Sequence, residues 1–177
     1  MKIAVFCVGN KLLLDEGVGP AVYDELVTSY EFPDNVDLFD VGCMGLEMIG
    51  YVDDYDYLIT IDAVDGTDEA PGTVFEFSPD DMARRDRGMA SLHELKLSDL
   101  FDAAFLMGYE AHGKCFGMQV QNMTPEIVTI GLTQPVYEAL PLLIDAFLAD
   151  LFANGVEVVV KATGEPVRPG HHHVMSE

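Results

Sequence analysis

Residues 3 to 8 are apolar at every position, so the two alternating sets, Ile3/Val5/Cys7 and Ala4/Phe6/Val8, both need cover. A strand hidden on both faces is the signature of a central parallel strand lying between layers of helices. Shorter strand patterns follow at 36–40 and 57–61, the first closing on Asp40 and the second leading into Asp62, and weaker ones at 73–77 and 115–120. Between them the apolar positions change period. Val18, Ala21, Val22, Leu26 and Tyr30 recur every three or four residues while Asp24, Glu25 and Thr28 take the other side, which predicts an amphipathic helix. The same spacing predicts helices over 97–107 and 136–152, the latter through Leu140, Leu143, Ile144, Phe147 and Leu151, with a kink at Pro141. Strands alternating with helices imply an α/β fold: an open, mostly parallel twisted sheet with right-handed crossovers. The order shows no repeat and no internal linker, so residues 1–164 are predicted to form a single domain. After Gly164, with Pro166, Pro169 and Gly170, residues 165–177 are expected to be a loosely ordered tail.

Composition narrows the functions. Of 177 residues 49% are hydrophobic, enough for one core, and intrinsic disorder is excluded. Acidic side chains outnumber basic ones 31 to 9, a formal charge of −22. Such a surface repels phosphate backbones and anionic lipid heads, so nucleic acid is a poor partner. No apolar run is long enough to span a bilayer, and membrane insertion is not expected. The apolar start ends at Gly9-Asn10-Lys11 with no small-residue cleavage site, and reads as a strand rather than a signal peptide. Cys7, Cys43 and Cys115 are odd in number and form no Cys-x-x-Cys pair, which fits a reducing cytoplasm better than a disulfide scaffold.

Open α/β sheets collect ligands at the carboxyl ends of their strands, so the segments that follow strands are the first place to look for chemistry. The loop from Gly9 to Gly19 carries the adjacent acids Asp15 and Glu16. Its glycines are spaced for neither a dinucleotide fingerprint nor a P-loop. These acids also suit the positive end of the helix that begins near Val18. Asp62 follows a buried strand, where a carboxylate needs a partner, and turn backbone can supply one. Ser91-Leu92-His93-Glu94 is a capping-box pattern that puts His93 in a first helical turn, where the helix dipole disfavours imidazolium and leaves a lone pair for a metal; a surface histidine is the plainer reading. Together Glu16, Asp62 and His93 make an oxygen, oxygen, nitrogen set suited to zinc, nickel or another borderline divalent ion with positions left open. No His-Glu-x-x-His motif is present.

The run Val8 to Gly19, then Asp40-Val41-Gly42-Cys43-Met44-Gly45, then Asp62, then Leu92-His93-Glu94-Leu95, then Gly131-Leu132-Thr133-Gln134-Pro135-Val136, resembles the nickel-iron hydrogenase maturation endopeptidase family along nearly the whole chain. The resemblance implies a three-layer α/β/α enzyme. Its activity would be removal of the C-terminal extension of a hydrogenase large-subunit precursor once nickel has been inserted. It implies that Glu16, Asp62 and His93 bind metal: nickel supplied by the precursor, or zinc or another divalent ion in the isolated protein. Asp40 is expected to be an accessory acid or a substrate contact. Two motifs depart from the family's pattern, Asp40-Val41-Gly42-Cys43 where Asp-Gly-Gly-Thr is common, and Glu94 where glutamine often follows the histidine. Cys43 invites a nucleophile reading, but a buried or incidental thiol is the reading its neighbours support, since no base stands beside it in sequence. A nickel-binding chaperone or docking protein without proteolysis is the alternative function, resting on the same ligands, the acidic surface and His171-His172-His173. A small-molecule metallohydrolase is a third.

Overall fold

A computed structural model describes residues 1–43, 50, 54–78 and 112–176. The helix expected over 97–107 and the residue His93 lie outside this set. In chain order the described elements are β1 (Ile3–Val8), a 3-10 turn (Leu14–Gly17), α1 (Val18–Ser29), β2 (Tyr30–Glu31), β3 (Val36–Gly42), β4 (Tyr57–Val64), β5 (Val74–Phe77), β6 (Gly113–Gln119), α2 (Gln134–Ala153), β7 (Val159–Val160) and β8 (Glu165–Pro166). The main sheet has the order β3-β1-β4-β6-β5. Its first four strands are parallel, and β5 closes the edge antiparallel to β6. This is the mostly parallel α/β sheet that the strand and helix alternation predicts.

The all-apolar β1 lies where its sequence requires, between two strands and buried at all six positions. Ile3, Val5 and Cys7 share one core with Val18, Val22 and Leu26 of α1 and with Leu140, Leu143, Ile144, Phe147 and Leu151 of α2. Each large aliphatic or aromatic side chain enclosed there contributes about 1.5–3 kcal/mol of transfer free energy. The other set, Ala4, Phe6 and Val8, is equally hidden, with Phe6 stacked on Phe39 at 5.5 Å between ring centroids. Helix α2 runs on through Pro141. Proline removes the donor that Tyr137 would have met one turn earlier, and Tyr137 is exposed enough for water to take that place.

Two strands outlast their predicted ends. β3 continues past Asp40 to Gly42, with a register shift as pairing passes from Cys7↔Asp40 to Val8↔Gly42. β4 continues past Ile61 to Val64, because β6 pairs with it through Asp62↔Gly117 and Val64↔Gln119. Asp40, expected to close its strand, and Asp62, expected to follow its strand, therefore both sit within strands.

The expectation of a loose tail is corrected. β8 pairs with β7, which pairs with β2, in a small second sheet. Beyond it His173 is buried, with Nε2 3.2 Å from Glu25 Oε2 and Nδ1 2.8 Å from the Tyr30 hydroxyl, while its N–H donates to Asp145 at 2.8 Å. Ser176 adds two hydrogen bonds to Glu25, from its N–H at 3.0 Å and its hydroxyl at 2.7 Å. Pro166, Pro169 and Gly170 do interrupt regular structure, but Glu25 on α1 and Asp145 on α2 take hydrogen-bond partners from this segment.

Candidate active site

The loop between β1 and α1 can lie close to the sheet only because two residues lack side chains. At Gly9, with φ of +144°, a Cβ would come within 2.0 Å of the Glu16 carbonyl oxygen, the same oxygen that accepts the Asn10 N–H at 3.0 Å. At Gly19 a Cβ would meet the Val8 carbonyl oxygen at 2.1 Å and that of Ile61 at 2.8 Å. The first turn of α1 thus rests directly on the carboxyl ends of β1 and β4. The preceding 3-10 turn packs against β4. Glu16 and Asp62 are consequently brought to the same end of the sheet, where both are buried, Glu16 at 7% exposure and Asp62 at 2%. Asp62 Oδ1 accepts the N–H of Ala63 at 2.7 Å.

Asp15, beside Glu16, has a different task. It is fully buried, and its carboxylate does not cap α1, whose N-cap Gly17 has no side-chain cap. Oδ2 accepts the N–H groups of Gln121 and Asn122 at 3.0 and 2.9 Å and the Thr133 hydroxyl at 2.9 Å, while Oδ1 accepts the Thr133 N–H at 2.6 Å. Thr133 is the N-cap of α2. One carboxylate therefore ties the loop after β1 to the loop after β6 and to the start of α2. Leu14, just before it, holds φ of +53°, uncommon for a side chain with a Cβ, and its N–H donates to Thr129 at 2.8 Å. Such backbone costs about 1–3 kcal/mol and persists where neighbouring contacts impose it.

Asp40 lies on β3 with its side chain 31% exposed and its Oδ2 3.5 Å from Lys11 Nζ, which also pairs with Asp24 at 3.0 Å. The hydrogen bond to Asp24, more than any other influence, raises the Lys11 ammonium above its ordinary range. Cys43 is an exposed thiol, whereas Cys7 and Cys115 are buried. Among the described residues no three His, Cys, Asp or Glu side chains converge as a metal site. The structure brings Glu16 and Asp62 to one end of the sheet; His93 falls outside the described residues.

The sequence pattern alone does not assign these roles to Asp15 and Lys11. For Asp15 the available signal was Thr133-Gln134-Pro135, a cap residue before a proline in the first turn, which marks a helix start. Nothing in the spacing says that this start needs an acid 118 positions earlier. A second polar cluster, Asp65, Thr67 and Gln119, closes the mouth of β4 and β6: the Thr67 N–H donates to Gln119 Oε1 at 3.1 Å and Gln119 Nε2 donates to the Val120 carbonyl at 2.8 Å.

Comparison with known proteins agrees with this architecture. A family model described as "HycI: Hydrogenase maturation protease" matches residues 20–150. The chain is 31% identical over 160 residues to the hydrogenase 2 maturation protease of Escherichia coli (strain K12), covering 90% of this chain and 96% of that one. It is 32% identical over 174 residues to the hydrogenase expression/formation protein HupD of Rhizobium leguminosarum bv. viciae, covering 97% and 85%. Its structure is similar to that of the hydrogenase maturating endopeptidase HybD from E. coli, with a TM-score of 0.83 at 31% identity, covering 92% of this chain and 99% of that one. By sequence and by fold, the chain belongs to the hydrogenase maturation protease family, whose members are peptide-bond hydrolases.

Proposed function

We propose that this protein removes the C-terminal extension of a nickel-iron hydrogenase large-subunit precursor after nickel insertion, with Glu16, Asp62 and His93 reading the nickel that the precursor carries. The observation that supports this most is the placement of two buried carboxylates, Glu16 and Asp62, at the carboxyl end of a parallel sheet. The low dielectric around a buried carboxylate strengthens its attraction for a cation. Carboxylate oxygens with an imidazole nitrogen form a donor set that suits a borderline divalent ion, and they leave positions for groups the precursor brings. Nickel in that position would supply a Lewis acid next to the scissile bond. Glu16 and Asp62 would hold the ion, Gly9 and Gly19 let their segments approach, and Asp40, held by Lys11, would contact substrate. Three thiols in the chain are consistent with a cytoplasmic setting for the reaction.

The test is processing of nickel-loaded and nickel-free precursor by native protein and by His93→Ala, with circular dichroism as a folding control. The native protein should shorten only the loaded form, and His93→Ala should shorten neither. Equal cleavage of both forms by native protein would remove the nickel checkpoint. A stable complex without shortening would instead identify a nickel-binding chaperone.

A further inference from the structure

Beside the Glu16 loop the protein displays aliphatic side chains that its own core leaves uncovered. Thr129 is bound to that loop in a parallel bridge with Leu13: its N–H donates to the Leu12 carbonyl at 2.9 Å and its carbonyl accepts the Leu14 N–H at 2.8 Å. The residues around this bridge face water, Ile127 at 76%, Val128 at 66%, Ile130 at 76% and Leu12 at 48% exposure. Scattered exposed aliphatics are ordinary; several gathered on two hydrogen-bonded segments mark an interaction surface. Ile130 also lines a hollow of about 170 Å³ together with Lys11, Gly17, Ala21, Asp24 and Leu132. That volume is below the roughly 300 Å³ at which small-molecule sites begin and is of the order of one large side chain.

Charge selects the occupant. Lys11 is already shared between Asp24 and Asp40, so the hollow's surroundings remain net negative, and exposed Glu126 immediately precedes Ile127. A second copy of this chain, itself at −22, would be repelled from such a rim, whereas an apolar segment flanked by lysine or arginine would be attracted.

We propose that Leu12, Ile127, Val128 and Ile130, with the hollow next to Ile130, form the docking surface for an apolar, Lys/Arg-flanked segment of the precursor. One aliphatic or aromatic side chain of that segment enters the hollow. This rests on the reading that a hydrogenase precursor is the substrate, and it adds the surface on which that substrate is held. Because Leu12 and Leu14 carry the bridge and Asp15-Glu16 follow directly, a segment seated here lies against the loop that positions Glu16.

The experiment measures binding of purified nickel-loaded precursor by interferometry, and cleavage in parallel. It compares native protein, Ile130→Ser, the double variant Ile127→Ser/Val128→Ser, and Leu142→Ser as a control at an equally exposed aliphatic on α2. The patch variants should weaken binding about tenfold or more, as loss of interface anchors does. Their thermal melts and their affinity for a divalent ion should not change. Native binding should weaken as salt rises from about 0.1 to 0.5 M, where opposite charges are screened. Unchanged binding by the patch variants, equal weakening by Leu142→Ser, or salt-independent binding would overturn the proposal. So would sedimentation showing that the patch variants lose self-association while keeping precursor binding. Binding without cleavage by native protein would overturn the hydrolysis reading and leave the docking surface standing. Cleavage that the patch variants share in full would do the reverse, and absence of native binding and cleavage would overturn both.

Discussion

Replacing Asp15 by alanine should destabilise the protein more than any loss of exposed charge could. The carboxylate is fully buried and accepts four hydrogen bonds, from the N–H groups of Gln121, Asn122 and Thr133 and from the Thr133 hydroxyl. A buried donor left without an acceptor costs about 1–3 kcal/mol. Gln121 and Asn122 are exposed residues, so water can reach their N–H groups once the carboxylate is gone, and most of the penalty falls on the half-buried Thr133 pair. The expected loss is then about 3–5 kcal/mol, a fall in Tm of roughly 6–20 °C for a domain of this size. Asp15→Asn should recover only part of it. With its amide oxygen in place of Oδ2, its NH₂ would face the Thr133 N–H, donor against donor. Thr133→Val removes one hydroxyl bond and should cost about 1 kcal/mol, and the double variant should show coupling with Asp15→Ala of about 0.5–1.5 kcal/mol. Urea unfolding followed by circular dichroism, with equal slopes for all variants, measures each value. A loss below about 1 kcal/mol for Asp15→Ala, or strict additivity with Thr133→Val, would refute the idea that this acid clamps the three segments together.

Two further outcomes follow from burial. Burial, and after it the negative charge of Asp40 and Asp24, pushes the Cys7 thiol well above its ordinary range, and Cys115 is also buried, so a thiol reagent at mildly alkaline pH should label Cys43 alone in native protein and all three cysteines after denaturation; rapid native labelling of Cys7 would contradict the packing of β1. Deleting residues 165–177 should lower the melting temperature, and His173→Ala alone should cost about 0.5–1.5 kcal/mol, because the ring's bonds to Tyr30 and Glu25 are lost while His171 still meets the Tyr30 hydroxyl and Ser176 still meets Glu25; melts identical to native would restore the picture of a dispensable tail.

The tail shows where sequence reading loses sight of structure. Its prolines and glycines report local backbone preference correctly, and regular structure there is indeed brief. Its packing is decided elsewhere, by Glu25 and Tyr30 on one side and Asp145 on the other, which lie 148, 143 and 28 positions from His173. Hydrophobic periodicity, by contrast, is a local signal with a global cause. Both sets in β1 are apolar because both faces are covered, and the stripe in α2 falls on Leu140, Leu143, Ile144, Phe147 and Leu151 because those positions meet the sheet. Strand ends are harder to read. Asp40 and Asp62 looked like terminators because a charge interrupts an apolar run, yet the ladders continue through them, since backbone pairing does not depend on side-chain polarity.

The pair Asp15-Glu16 makes the same point within a single dipeptide. As a sequence feature the two acids are equivalent, and both suited the positive end of α1. The structure separates them: Leu14 before them holds a positive φ, Asp15 meets the loop after β6, and the 3-10 turn that carries Glu16 packs against β4. Asp15 satisfies three backbone N–H groups and a hydroxyl, leaving it little capacity for any other partner, whereas the carbonyl of Glu16 is fixed by Asn10 and its side chain lies at the sheet end with Asp62. An acid saturated by backbone donors anchors a loop, which is the part Asp15 plays here. Loss of Asp15 should therefore reach the candidate site through the loop that carries Glu16.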